Sequence, residues 1–191
     1  SVSHPNVVRM YESVVHRDRA YLIYEYIPEG DLNNYLKTTS GGSLSWNDAC
    51  SVVCDVLSGL RHCHEMGIVH GDIKPANILF KRDPRGNPTA RLGDLGLAWI
   101  CDNMGLSGFS SEYREAQPFK APELIENFRA LKPAADIYSM GAILYFLLSG
   151  GLPYSSPTDA ISQNSDISFD AKAIPPQDED PDIPDALIKI K

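Results

Sequence analysis

Eight residues, His70-Gly71-Asp72-Ile73-Lys74-Pro75-Ala76-Asn77, bring a carboxylate, an ammonium and a carboxamide into one short stretch. An apolar run, Ile78-Leu79-Phe80, follows at once, and seventeen residues beyond Asn77 stands Asp94, opening Asp-Leu-Gly. Asn77 and Asp94 supply the hard oxygens that Mg²⁺ prefers. Lys74 supplies a point charge for a phosphate. The remaining carboxylate, Asp72, can position a hydroxyl nucleophile. These residue types at this spacing suit a nucleotide–metal site.

Chemistry of that kind needs a scaffold. Ile78 to Phe80 and Ala90 to Leu92 read as paired short strands, whose open ends would hold Asn77 and Asp94 close together. Upstream, Trp46 to Met66 reads as a long helix. Ser45 serves as its N-cap, with Asp48 three residues on as in a capping box. Its core stripe is Ala49, Val52, Val53, Val56, Leu60 and Cys63. Gly67 suits the left-handed residue that ends a helix, and Ile68-Val69 is expected to start a short strand that delivers His70. A second helix, Ala134 to Ser149, is apolar nearly all round and should be buried. Asp136 near its start is then a buried carboxylate in need of partners.

The rest of the chain frames these parts. Strands are expected at Val7 to Glu12 and Ala20 to Tyr26, joined by a polar turn at His16-Arg17-Asp18-Arg19. Ile27-Pro28-Glu29-Gly30 reads as a linker, followed by a short helix from Asp31 to Leu36. From Asp94 to Glu123 periodicity is lost, a length that points to function or mobility. Ala121 to Ile125 starts a short helix. After Pro153 the sequence takes on loop character, with an acidic run at Asp178 to Asp182 and a possible helix start at Asp185 to Lys191.

Bulk composition sets the bounds. The chain has 191 residues, 43% hydrophobic and 22% charged, as in an ordinary domain with a real core. Its net charge of −8 argues against a nucleic-acid-binding face. Cys50, Cys54, Cys63 and Cys101 show no disulfide spacing and read as reduced thiols, which suits a cytoplasmic setting. The start reads as no signal peptide, and the longest apolar run, Ala142 to Leu148, is too short to span a bilayer. His62-Cys63-His64 are adjacent on a helix and point different ways, so packing is a better reading than metal binding. Cys50 and Cys54 share a face and read as core.

In its motifs the sequence resembles the protein kinase family, from His4 to about Tyr154 and onward. His70 to Asn77 resembles the catalytic loop H-R-D-x-K-P-x-N, Asp94-Leu95-Gly96 resembles D-F-G, and Ala121-Pro122-Glu123 stands as A-P-E. Asp136 to Gly141 is similar to D-x-x-S-x-G, and His4 to Val8 and Glu25-Tyr26 resemble the fourth-strand entry and the interlobe hinge. His16-Arg17-Asp18 also spells H-R-D, but no Lys or Asn follows at the right offset, and it reads as a turn.

The resemblance implies an α+β, protein kinase-like fold, mainly the helical C-lobe with a two-strand remnant of the N-lobe. Residues 1–26 would be that remnant, 27–30 the hinge and 31–191 the C-lobe. It implies an ATP- and Mg²⁺-dependent serine/threonine kinase acting on protein substrates, with no nucleic acid or membrane partner. Asp72 would orient the substrate hydroxyl and accept its proton, Lys74 would sit on the transferred phosphate, and Asn77 and Asp94 would hold Mg²⁺. The backbone of Glu25 and Ile27 would face the adenine, with Tyr24 at the back of the pocket and Leu79 beneath the ring. Asp31 would reach the ribose. Asp136 would bond the backbone of the catalytic loop.

Departures from the pattern carry information too. Gly71 replaces the Arg that in the family meets a phosphorylated activation loop, which reads against the usual phospho-activation. Solvated loop hydroxyls are accordingly the plainer reading of Ser107, Ser110, Ser111 and Tyr113. Leu95 replaces Phe, and Ala116 lacks a hydroxyl that would touch Asp72 and Lys74. The Gly-rich loop, the strand-borne Lys and the helix-borne Glu of a kinase N-lobe are not in these residues. They are expected upstream of Ser1, and the piece alone is expected to be inactive. Two alternatives stand beside the kinase reading: a pseudokinase or scaffold, and a small-molecule phosphotransferase of the aminoglycoside kinase type, whose H-G-D-x-x-x-x-N also matches.

Overall fold

The structure, a computed structural model, describes residues 2–17, 19–39, 42–95, 118–126 and 131–154. In chain order these form β1 (Met10–His16), β2 (Arg19–Tyr24), α1 (Leu32–Thr39) and α2 (Trp46–Glu65). A 3₁₀ turn at Pro75–Asn77, β3 (Ile78–Arg82), β4 (Pro88–Leu92), α3 (Pro122–Glu126) and α4 (Pro133–Ser149) follow. Two antiparallel hairpins, β1–β2 and β3–β4, sit with the helices in an α+β architecture. Among the described residues no helix is long and apolar enough to cross a membrane.

Helix α2 is built as its sequence suggests. Ser45 Oγ accepts from the Asp48 amide at 3.2 Å and donates to Asp48 Oδ2 at 2.7 Å, closing the N-terminus. At the other end Gly67 takes φ +74°, its amide donates to His64 O, and the Ile68 amide donates to Cys63 O. Ala49, Val52, Val56, Leu60 and Cys63 are buried, each large side chain stabilising the fold by about 1.5–3 kcal/mol. Val53 is only half-buried against the core. Cys50 is half-buried and Cys54 exposed, so these two thiols flank the core rather than forming it.

Several boundaries move. The first strand begins at Met10, not Val7, and runs to His16. Val7 and Val8 are buried elsewhere: the Val8 amide donates to Leu92 O at 2.8 Å and Leu92 donates back to Asn6 O at 2.9 Å. Those β-branched residues extend along β4 in parallel, a partner that local pattern does not specify. The second strand stops at Tyr24, two residues early. Ile68-Val69 form no strand, because the Ile68 amide is spent on closing α2. Helix α1 is shifted to Leu32–Thr39, with Asp31 outside it as the cap: the Asn34 amide donates to Asp31 Oδ1 at 2.9 Å. Helix α4 is buried along most of its length, yet Ile137 is exposed, so it is not enclosed all round.

The core gathers α1, α2, β3, β4 and α4. Tyr35 of α1 stacks on Phe80 of β3 at 4.0 Å, and Phe119 meets Phe146 of α4 edge-on at 5.6 Å. Gly59 lets α2 lie against the chain's first segment, since a Cβ there would stand 2.7 Å from Asn6 O. The hydroxyls from Ser107 to Tyr113, Cys101, Ala116, the acidic run at Asp178 to Asp182 and the helix start at Asp185 to Lys191 lie outside the described residues.

Candidate active site

Three of the residues expected to do chemistry meet in one cluster. Lys74 Nζ lies 2.8 Å from Asp72 Oδ2. The Asn77 side-chain amide donates to the same Oδ2 at 3.1 Å and to the Asp72 backbone oxygen at 2.8 Å. The 3₁₀ turn at Pro75–Asn77 makes this possible, folding the chain back within five residues. Both side-chain contacts use Oδ2, so Oδ1 is the carboxylate oxygen they leave aside.

Asp136 holds the loop from below. It is fully buried, and its carboxylate accepts from the His70 amide at 2.9 Å and the Gly71 amide at 2.8 Å. His64 Nε2 lies 2.7 Å from the same carboxylate. A buried charge with three donors is satisfied in the way that burial demands. His70 fixes the other side of the loop. Its Nε2 lies 2.8 Å from Gly93 O, which can only accept, and its Nδ1 accepts from the Asp72 amide at 3.1 Å. That pair of partners selects the neutral tautomer with the proton on Nε2. Gly71 adopts φ +75°, a conformation that favours glycine.

Asn77 and Asp94 stand where the paired strands open. Ile78 faces Leu92 in the register, and the Gly93 amide donates to Asn77 O at 2.8 Å. Asp94 follows at φ +52°, exposed. The donor set fits a hard cation: the Asn77 nitrogen is committed to Asp72, which turns its Oδ1 away from that carboxylate, and Asp94 adds an exposed carboxylate. A cation held there would supply charge neutralisation to a phosphate.

The residues expected on the adenine side lie at the end of β2, in the linker that follows it and on β3. Leu79 packs against Gly93, where a Cβ would come within 2.9 Å of Leu79 Cδ1. Ile27 is buried. Tyr24 is half-buried, and its hydroxyl has no hydrogen-bond partner among the described residues. Burial first, and the Asp94 charge second, push that phenol up to about 12. Asp31 uses Oδ1 to cap α1, a task the sequence reading did not give it.

Comparison with family models matches residues 1–187 to the protein kinase domain. The chain belongs to the protein kinase family. Among curated relatives, serine/threonine-protein kinase SIK1 of Rattus norvegicus is 34% identical over 157 residues, covering 82% of this chain and 19% of that protein. CBL-interacting protein kinase 1 of Oryza sativa subsp. japonica is 32% identical over 153 residues, covering 80% and 32%. A putative L-type lectin-domain containing receptor kinase V.8 of Arabidopsis thaliana is 34% identical over 151 residues, covering 77% and 23%. The chain thus spans a third or less of the length of these relatives.

Some residues of this kinase chain that shape the site escaped the sequence reading. His62, Cys63 and His64 diverge as their helical spacing requires: His62 stacks on His4 at 5.2 Å and Cys63 enters the core, while His64 reaches Asp136, a partner that packing alone does not supply. Burial, with the Asp136 charge second, pushes the Cys63 thiol up to about 11. Lys120 is only 6% exposed, and burial lowers its pKa, with the Asp72 charge opposing and the Lys74 charge reinforcing. Its position follows from Phe119, anchored on α4. Lys81 and Arg91 both reach Glu25. Only strand alternation hinted at these two: Lys81 shares a face with Leu79, and Arg91 is opposite Leu79.

Proposed function

We propose that this chain forms the hinge and phosphoryl-transfer wall of an ATP-dependent kinase that phosphorylates Ser or Thr hydroxyls of proteins. The observation that carries this reading is the Asp72–Lys74–Asn77 cluster, pinned from below by Asp136. In this reading residues 1–26 belong to an N-lobe, 27–30 to the hinge and 31–191 to the C-lobe.

Each polar group then has a task. Oδ1 of Asp72 receives the proton of the substrate hydroxyl, while Lys74 and Asn77 keep Oδ2 occupied and the carboxylate oriented. Lys74 is near enough to exchange part of its contact with Asp72 for the transferring phosphoryl group. Asn77 and Asp94 hold Mg²⁺, which when bound offsets the phosphate charge. The backbone of Glu25 and Ile27 faces the adenine, Tyr24 closes the back of the pocket, Leu79 lies beneath the ring and Asp31 Oδ2 is directed to the ribose. Lys at position 74 and the serine/threonine-protein kinase named among the relatives support the choice of hydroxyl.

Replacing Asp72 tests the assignment. In the protein carrying this chain, Asp72→Asn keeps the shape of the cluster and removes its base. Phosphorylation of a Ser/Thr peptide library should fall by about 10²-fold or more. Turnover equal to that of the parent would remove Asp72 from catalysis and favour a scaffold role.

A further inference from the structure

The linker between Tyr24 and Asp31 is fastened to β3 at both ends. At its far end the Phe80 amide donates to Gly30 O at 3.0 Å, and Asp31 bridges Leu79 in antiparallel fashion. At its near end the fastening is ionic. The Glu25 carboxylate gives Oε1 to Lys81 Nζ and lies with Oε2 3.1 Å from Arg91 Nη1. The Glu25 amide meanwhile donates to Arg9 O at 2.8 Å, so backbone and side chain are both held.

The two cations come from different strands but one face. Leu79 is paired with Arg91, and Lys81 lies two residues beyond Leu79 on the same strand. That face therefore presents Leu79, the residue read as the adenine floor, together with both partners of Glu25. Glu25 and Arg91 are largely sheltered, with 16% and 20% of their side chains exposed, whereas Lys81 is more open at 40%. The Lys81 bond is also the leading cause that lowers the Glu25 pKa, ahead of the Arg91 charge. Arg91 Nε is buried with no partner among the described residues, and Nη1 is the nitrogen that reaches Glu25.

We propose that Lys81 and Arg91 are positioning residues for the nucleotide: by clasping Glu25 they fix the linker backbone over Leu79. They do not touch the reacting atoms. The clasp instead keeps the two walls of the adenine site in register, so nucleotide binding does not have to order them. This rests on the kinase reading above, and its signature is a change in nucleotide affinity without a change in chemistry.

The test uses the protein carrying this chain, with Lys81→Met, Arg91→Met, the pair together, and Lys81→Arg. ATP titrations of peptide-library phosphorylation give KM and kcat separately, and ADP binding is measured by calorimetry. Either Met variant should raise the ATP KM and weaken ADP binding by about 3- to 10-fold, with kcat within about twofold of the parent. Lys81→Arg, which keeps the ion pair, should restore both values. Lys81 is half-open to solvent and its Met variant will fold even if Arg91→Met does not. Unchanged affinity in Lys81→Met, or a rise in kcat at unchanged KM, overturns the clasp while leaving the kinase reading intact. A parent protein that binds no ADP and transfers no phosphate overturns both.

Discussion

Three donors converge on the Asp136 carboxylate: His64 Nε2 and the amides of His70 and Gly71. Asp136→Asn would offer one acceptor oxygen and turn an NH₂ group toward an N–H donor. The variant should lose about 3 kcal/mol or more in urea unfolding, as expected when a buried charge-assisted network is broken. A loss below about 0.5 kcal/mol, typical of a surface change, would show that the carboxylate is not structural. Glu25 makes a second residue-scale prediction. Its pKa is lowered from 4.5, chiefly by its bond to Lys81. A carboxyl group with a lowered folded pKa adds stability that is complete above the unfolded value and is lost as pH falls through the folded one. Glu25→Gln should therefore show a shallower loss of stability on acidification below 4.5 than the parent, read from urea midpoints across that range. Parallel curves would mean that the pair contributes nothing to folding.

The elements show what a sequence can and cannot announce. The cap at Ser45, the stripe along α2 and the stop at Gly67 are local signals, and they set α2 to within one residue of its observed end. The strands β3 and β4 were legible from their apolar cores, and with them the nearness of Asn77 and Asp94. Asp136 was legible as a buried acid in an apolar helix. What failed was choice of partner: Val7 and Val8 look like strand residues anywhere, but nothing local says that they join β4 rather than β2. Lys81 and Arg91 likewise look like solvated charges until the linker is laid across them. Gly59 belongs to the same class. In mid-helix, Gly59→Ala should stabilise by about 1 kcal/mol on propensity alone. The Cβ would stand 2.7 Å from Asn6 O, a rigid backbone atom, so overpacking costing about 1–3 kcal/mol should dominate. Thermal unfolding of the variant decides the sign: a higher midpoint would mean that the first segment yields freely.

Across the whole molecule, burial is unevenly shared. Helices α2 and α4 place Val56, Leu60, Ile143 and Leu147 in the interior, and α2 reaches β4 through Asp55, whose Oδ2 accepts from the Ala90 amide at 2.9 Å. The β1–β2 hairpin is different. From Tyr11 to His16 every residue of β1 is exposed, and Tyr11 and Val15 leave 59% and 65% of their surface to solvent. A two-stranded ribbon open in this way has little beyond its own ladder to hold it. It is tied to the rest through the Glu25 carboxylate, bonded to β3 and β4, and through the segment before β1, where Asn6 and Val8 bond to Leu92. Local opening should therefore follow burial. In native-state hydrogen exchange, the amides of α2 and α4 should open only with global unfolding. Those of β1 and β2 should exchange about 10²-fold faster or more, a gap of about 3 kcal/mol or more in opening free energy. Lys81→Met should widen the gap by loosening the tie, with α2 and α4 left as they were. Equal protection in hairpin and helices would show that the ribbon folds with the core, and that the clasp at Glu25 links parts already rigid.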